Sequence, residues 1–291
     1  MRIGIVGLGL MGGSLAMDLR FLDHEVFGVS RQEETCEEAL KRGIVNHSST
    51  DLSLLSETEI IFICTPLEAI APTVKKLIPF LSPNTILTDV GSVKKYILDS
   101  VSPLWDNFIG GHPMAGTTDS GLAGAITQLF VNRYWCITPT EKTPTKSIEI
   151  LTHIIKSLRA KVCICDPEEH DRAVAWISHL PVMISSTLIS SCLTEKDENV
   201  LNLAKMIASS GFRDTSRVGG GNPELGLMMA KYNRDYLLHS LTQYRDKLDI
   251  LIGKIEKENW GSLKQDLQST QQHRSDFSIV NPTTYQFSIN D

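Results

Sequence analysis

The run Gly7-Leu8-Gly9-Leu10-Met11-Gly12 stands directly behind the apolar segment Ile3-Gly4-Ile5-Val6 and directly ahead of a helical pattern reaching Leu22. A glycine at the end of a buried strand permits a tight turn. A second lets a phosphate approach the backbone, and a third lets the new helix pack closely on the strand it has just left. The sequence therefore predicts a strand–turn–helix unit that rests a dinucleotide pyrophosphate on the helix N-terminus. Gly7, Leu8, Gly9, Leu10, Met11 and Gly12 are its expected contacts.

Short apolar runs continue to alternate with helical patterns up to Cys165. Strands are expected at Ile3–Val6, Glu25–Val29, Ile60–Cys64, Ile86–Asp89, Phe108–Gly110, Tyr134–Thr138 and Val162–Cys165. Helices are expected near Gly12–Leu22, Glu34–Arg42, Pro72–Leu81, Val93–Val101 and Lys146–Leu158. Such alternation predicts an α/β Rossmann domain over residues 1–165, with a doubly wound, mostly parallel sheet. Asp166-Pro167-Glu168-Glu169 then supplies a capping acid, a proline for the first helical position and two acids for the first turn. From there, segments such as Val200–Ser210, Glu224–Tyr232 and Arg234–Lys257 carry helical spacing. The expectation is an all-α domain over 166–270, followed by a poorly ordered tail over 271–291.

A net charge of −6 argues against a nucleic-acid or anionic-membrane partner, because either surface would repel the average field. Arg2-Ile3-Gly4-Ile5-Val6 leaves no room for a signal peptide, and no stretch is read as approaching the roughly 20 apolar residues that cross a bilayer. A cytoplasmic protein is expected. Its six cysteines form no C-x-x-C pair, so neither a disulfide framework nor a zinc site is read. Cys163 and Cys165 alternate along one expected strand and are read as packing.

The end of the second strand bears on the nucleotide. NAD enzymes usually place an acid there for the ribose 2′-hydroxyl. Here the run is Gly28-Val29-Ser30-Arg31. Arg31 can pair with a 2′-phosphate, and Ser30 and Thr35 can donate to it, so NADP is the expected cofactor. The alternative is that Glu33 or Glu34 binds NAD.

Three further clusters fall at strand ends or beyond: Thr88-Asp89-Val90-Gly91-Ser92-Val93-Lys94, Gly110-Gly111-His112-Pro113-Met114-Ala115-Gly116, and Arg213-Asp214-Thr215-Ser216-Arg217. His112 lies just past a strand's carboxyl end, where a neutral imidazole can accept a proton at physiological pH. Ser92 can act beside it, and it can also cap a helix. A guanidinium at Arg217 offers paired hydrogen bonds to a planar anion, while Arg213 is read as structural. Asn222 precedes Pro223 as a helix cap, and Gly221 belongs to the same loop. His170-Asp171, in the first turn of the expected helix, has no ligand partner at recognisable spacing, and no metal is assigned.

Together with Ser178-His179-Leu180-Pro181, these motifs in this order resemble the arogenate/prephenate dehydrogenase family, from Met1 to about Leu267. The likeness is strongest to cyanobacterial NADP-dependent arogenate dehydrogenases. The resemblance implies oxidation of a cyclohexadiene ring hydroxyl, loss of the ring carboxylate as carbon dioxide and aromatisation. It implies His112 and Ser92 as catalytic, His179, Arg217, Gly221 and Asn222 on the substrate, and Thr65 and Pro66 beside the cofactor. It also implies a homodimer and a site in a cleft between the halves. Arogenate is the expected substrate, with tyrosine as product. The alternatives are prephenate, giving 4-hydroxyphenylpyruvate, and a non-catalytic NADP-sensing module.

Overall fold

The computed structural model describes residues 1–117 and 119–277. The first half runs β1 (Arg2–Val6), α1 (Leu10–Phe21), β2 (Glu25–Val29), α2 (Glu33–Lys41), β3 (His47–Ser49), β4 (Ile60–Ile63), α3 (Leu67–Leu77), β5 (Ile86–Asp89), α4 (Lys95–Val101), β6 (Phe108–Pro113), β7 (Tyr134–Thr138), α5 (Thr145–Ser157) and β8 (Lys161–Ile164). Its eight strands form one sheet in the order β3-β2-β1-β4-β5-β6-β7-β8, parallel except where β6 meets β7. This is the expected Rossmann-like arrangement, with one strand more than the sequence suggested. The short β3 is polar, and its pairing beside β2 is what makes it a strand.

Helices cover both faces, so the central strands are buried throughout and their alternation feeds two cores. Ile60 and Phe62 of β4 enter one cluster, and Ile61 and Ile63 enter the other. The third helix departs from expectation: Pro72 lies inside it rather than at its start. Leu67, Ile70, Val74 and Leu77 are all buried on one side. Each such burial contributes about 1.5–3 kcal/mol, and together they outweigh the roughly 3 kcal/mol that an interior proline costs.

The second half is helical: α6 (Pro167–Val174), a π-helical turn at Ala175–His179, α7 (Leu180–Cys192), α8 (Glu198–Ile207), α9 (Ser210–Ser216), α10 (Pro223–Tyr232), α11 (Arg234–Glu256) and α12 (Trp260–His273). Asp166 caps α6 as expected, its carboxylate accepting from the backbone N–H groups of Glu168 and Glu169. The π turn ends two residues before Pro181. Proline has no N–H and its ring crowds the carbonyl of the residue four positions back, so widening the helix there relieves that clash.

The continuous helix Pro167–Cys192 has 26 residues and an 18-residue window of mean hydropathy 1.4. By length and composition alone it could cross a membrane, which corrects the sequence reading. Its charged residues are gathered in the first turns, leaving a long apolar remainder. Its polar groups His170, Asp171 and His179 are nevertheless buried within the fold.

Compactness divides the chain at Leu238, within α11. The unit from His239 onward holds the rest of α11 and all of α12, linked by an ion pair between Lys254 and Asp266 and capped at Asn259, which accepts from the Ser262 N–H at 3.2 Å. α12 runs to His273 and a 3-10 turn follows to Phe277, so residues 271–277 of the expected tail are helical. The remainder of that tail, 278–291, lies outside the described residues.

Candidate active site

The chain steps outward from β1 to β3 and then returns to the other side of β1 at β4, so the strand order reverses between the ends of β1 and β4. A crevice at such a point is where doubly wound sheets take ligands. Gly7 turns the chain there with φ +99°, and its N–H donates to the Val29 carbonyl at 2.8 Å. A Cβ on Gly7 would stand 2.8 Å from the Cys64 carbonyl oxygen, and one on Gly12 only 2.0 Å from that of Gly7. Gly9, by contrast, faces open space. It is the N-cap of α1, which has no side-chain cap and no acid in its first turn, so its leading N–H groups remain available to an anion. The donor set and the room fit a pyrophosphate.

The crevice widens into a cleft of about 2110 Å³. Ser30, Arg31 and Thr35 line it at one end, whereas Glu33 and Glu34 are not among its lining residues. Thr65 and Pro66 line it beyond β4, and the Thr65 hydroxyl has no hydrogen-bond partner among the described residues.

The far wall is formed by the residues after β5 and by the end of β6, with α6 hydrogen-bonded behind them. Asp89, at the end of β5, is fully buried and accepts from the Gly91 and Gly111 N–H groups at 2.8 and 2.9 Å. It also pairs with the equally buried Lys94 ammonium, which donates on to the Gly111 carbonyl. These contacts pin the β5 loop, carrying Ser92, against β6, carrying His112. Burial lowers the Lys94 pKa, and the Asp89 carboxylate opposes that shift.

His112 is 8% exposed. Its Nδ1 lies 2.8 Å from Nε2 of His170, whose Nδ1 lies 2.8 Å from the Asp171 carboxylate. Because a carboxylate only accepts, His170 donates from Nδ1 and accepts at Nε2, so His112 donates from Nδ1. The lone pair of His112 is thereby placed on Nε2. Burial, the adjacent His170 and then Lys94 hold the His112 pKa well below the ordinary imidazole value, leaving it neutral at physiological pH.

Asp171 also accepts from the backbone N–H groups of Lys94 and Lys95, at 2.7 and 2.9 Å. It therefore caps α4 from another element, and Ser92 is not the cap. The Ser92 hydroxyl lines the cleft without a hydrogen-bond partner among the described residues.

His179 is fully buried in the π turn, and its Nδ1 accepts from Asn233 Nδ2 at 3.0 Å. Its proton is then on Nε2, which finds no partner among the described residues. Burial lowers its pKa to about 4. Unlike its neighbours Ile177 and Ser178, it is not one of the residues lining the cleft. Arg217, Gly221 and Asn222 do line it, and the Asn222 side chain caps α10 by accepting from the Glu224 N–H at 2.9 Å. Arg213 pairs with Asp214 at 3.0 Å on the surface.

The sequence reading set aside His170 and Asp171 and gave no role to Lys94 or Asn233. The only linear signal was a His-Asp pair just inside a strongly capped helix. What makes them part of the site is their placement against β6 and α4.

A Rossmann sheet whose glycine turn opens into a deep cleft, with a buried histidine relay on the far wall, defines a nucleotide-binding dehydrogenase. Residues 15–164 match the family model "Prephenate dehydrogenase, nucleotide-binding domain", and residues 166–269 match "Prephenate dehydrogenase, dimerization domain". The chain belongs to the prephenate dehydrogenase family. It is 33% identical to prephenate dehydrogenase of Bacillus subtilis over 261 residues, covering 87% of this chain and 68% of that protein. Among solved structures it is similar to arogenate dehydrogenase of Synechocystis, with 54% identity, a TM-score of 0.84, and coverage of 96% of this chain and 100% of that one. It is also similar to prephenate dehydrogenase of A. aeolicus in complex with hydroxyphenyl propionate and NAD+, with 25% identity, a TM-score of 0.89, and coverage of 96% and 98%.

Proposed function

We propose that the chain is an NADP-dependent arogenate dehydrogenase that forms tyrosine. The observation that carries this reading is the His112 imidazole, neutral and with Nδ1 engaged, in the same cleft as the glycine turn and Arg217. His112 accepts the proton of the ring hydroxyl at Nε2 while Ser92 orients that hydroxyl. Arg217 binds a substrate carboxylate, and the buried His179 stands behind the cleft wall with its Nε2–H unpartnered among the described residues. Bound NADP supplies the hydride acceptor for the carbinol carbon. The ring carboxylate then leaves as carbon dioxide, the electron pair of the broken bond completes the aromatic ring as a phenolate, and the proton held on His112 returns to that oxygen.

Arg31 in the cleft, with Glu33 and Glu34 outside it, favours NADP over NAD. The 54% identity to the Synechocystis arogenate dehydrogenase favours arogenate. Prephenate with NAD is the second reading, favoured by the A. aeolicus complex. Reduction of NADP and of NAD, each with saturating arogenate or prephenate, separates them. Turnover of arogenate with NADP alone supports the proposal, and turnover of neither substrate removes it in favour of a nucleotide-sensing module.

The same reading makes the protein a cytoplasmic homodimer, the second in keeping with the family description of its helical half as a dimerization domain. Helix α8 buries no residue and exposes Val200, Leu203, Met206 and Ile207, an apolar face suited to a second copy. Sedimentation equilibrium of the wild type and of Leu203→Glu tests this assignment.

A further inference from the structure

Cys136 on β7 and Cys163 on β8 are direct partners across the sheet, and Cys165 lies two residues further along β8's line. Lateral partners and alternate residues project to one face, so topology gathers three thiols that the linear sequence keeps apart. Their sulfur atoms all lie within 4.8 Å of one another, and all three residues are only partly buried. Sulfurs bound to one ion at about 2.3 Å stand roughly 4 Å apart, so the observed cluster needs only small side-chain rotations to close around a metal.

We propose that Cys136, Cys163 and Cys165 form a three-thiolate site for a monovalent thiophilic d10 metal ion of the Cu(I) class. Thiolate sulfur selects soft ions, and zinc would require a fourth donor. The nearby His170 cannot serve, because both of its ring nitrogens are engaged, by His112 and Asp171. Each thiol binds as thiolate and releases its proton to solvent. The site is separate from the nucleotide cleft, whose lining includes none of the three. The sequence reading of Cys163 and Cys165 as packing lacked the third sulfur, contributed by another strand.

The test is anaerobic titration of the reduced full chain against a chromophoric Cu(I) chelator. The wild type is expected to withdraw one equivalent of Cu(I), and Cys163→Ser or Cys165→Ala to weaken binding at least a hundredfold, with Cys192→Ser unchanged. Alkylation mapping of the wild type adds a readout independent of any variant's folding. Bound Cu(I) should protect Cys136, Cys163 and Cys165 and leave Cys192 reactive. A chelator spectrum unmoved by the wild type, full binding by a folded Cys163→Ser or Cys165→Ala protein, or protection of other cysteines would overturn the proposal.

Discussion

The His112 Nδ1 and His170 Nε2 atoms are 2.8 Å apart although 58 residues separate them in the chain. Since His170 is itself held by Asp171, the chain of hydrogen bonds fixes which nitrogen of His112 carries the proton and which the lone pair. Neither His170 nor Asp171 lines the cleft, so both are positioning residues.

Substituting Asp171→Asn leaves one acceptor oxygen for the Lys94, Lys95 and His170 donors that two carboxylate oxygens now share, and so loosens the hold on the His170 tautomer. We expect kcat to fall by about two to four orders of magnitude with little change in KM, comparable to loss of general base catalysis itself. His112→Asn should fall as far, and the double variant no further, because both act through one proton transfer. Steady-state kinetics of the three proteins, with nucleotide affinity measured separately, check this. Additive losses would show that Asp171 acts only by capping α4.

The pH dependence follows from burial. His112 and His179 both titrate below the ordinary imidazole value of 6.5 when folded. The unfolded chain therefore takes up protons first as pH falls. Their contribution to stability is complete above pH 6.5 and declines below it, for His179 down to about pH 4. Denaturant midpoints measured between pH 4 and 8 should show this loss. The acid limb of kcat/KM should likewise lie below 6.5, where His112 gains its proton.

At the glycine turn, Gly12→Ala drives a Cβ to 2.0 Å from the Gly7 carbonyl oxygen. Helix α1 must shift away from β1, at a cost of about 1–3 kcal/mol from overpacking. Both thermal stability and nucleotide affinity should fall. Gly9→Ala, with open space around it, should leave stability unchanged and weaken only nucleotide binding. Thermal melts with and without NADP distinguish the two.

For nucleotide choice, Arg31→Ala should raise the KM for NADP by about ten- to a hundredfold, the worth of a charge-assisted hydrogen bond, and leave that for NAD nearly unchanged. Equal effects on both would assign Arg31 to the adenine or to solvent.

Arg217→Lys keeps the charge and loses the planar fork, so KM for the carboxylate substrate should rise by about tenfold or more. An unchanged KM would move the carboxylate elsewhere in the cleft.

Much of this molecule was written in local sequence. A glycine run between an apolar strand and a helical pattern points to a nucleotide turn. The strands from Ile3 to Cys165 alternate so regularly that most of the sheet was legible, as was the cap at Asp166. His112, expected just past a strand that ends at Gly110, lies inside β6, which its antiparallel pairing with β7 extends to Pro113. What local pattern could not express is partnership between distant residues. Pro72 reads as a helix start until the burial of Leu67 and Ile70 extends the helix around it. Ser92 reads as a catalytic group that can also cap a helix until Asp171 takes the capping role from α6. His170 and the cysteines at 136, 163 and 165 read as unremarkable until the sheet sets them beside His112 and one another. Hydrophobic period and backbone capping act over a few residues and are visible along the chain. Hydrogen bonds and sulfur contacts act over a few ångströms, and only folding decides which residues come that close.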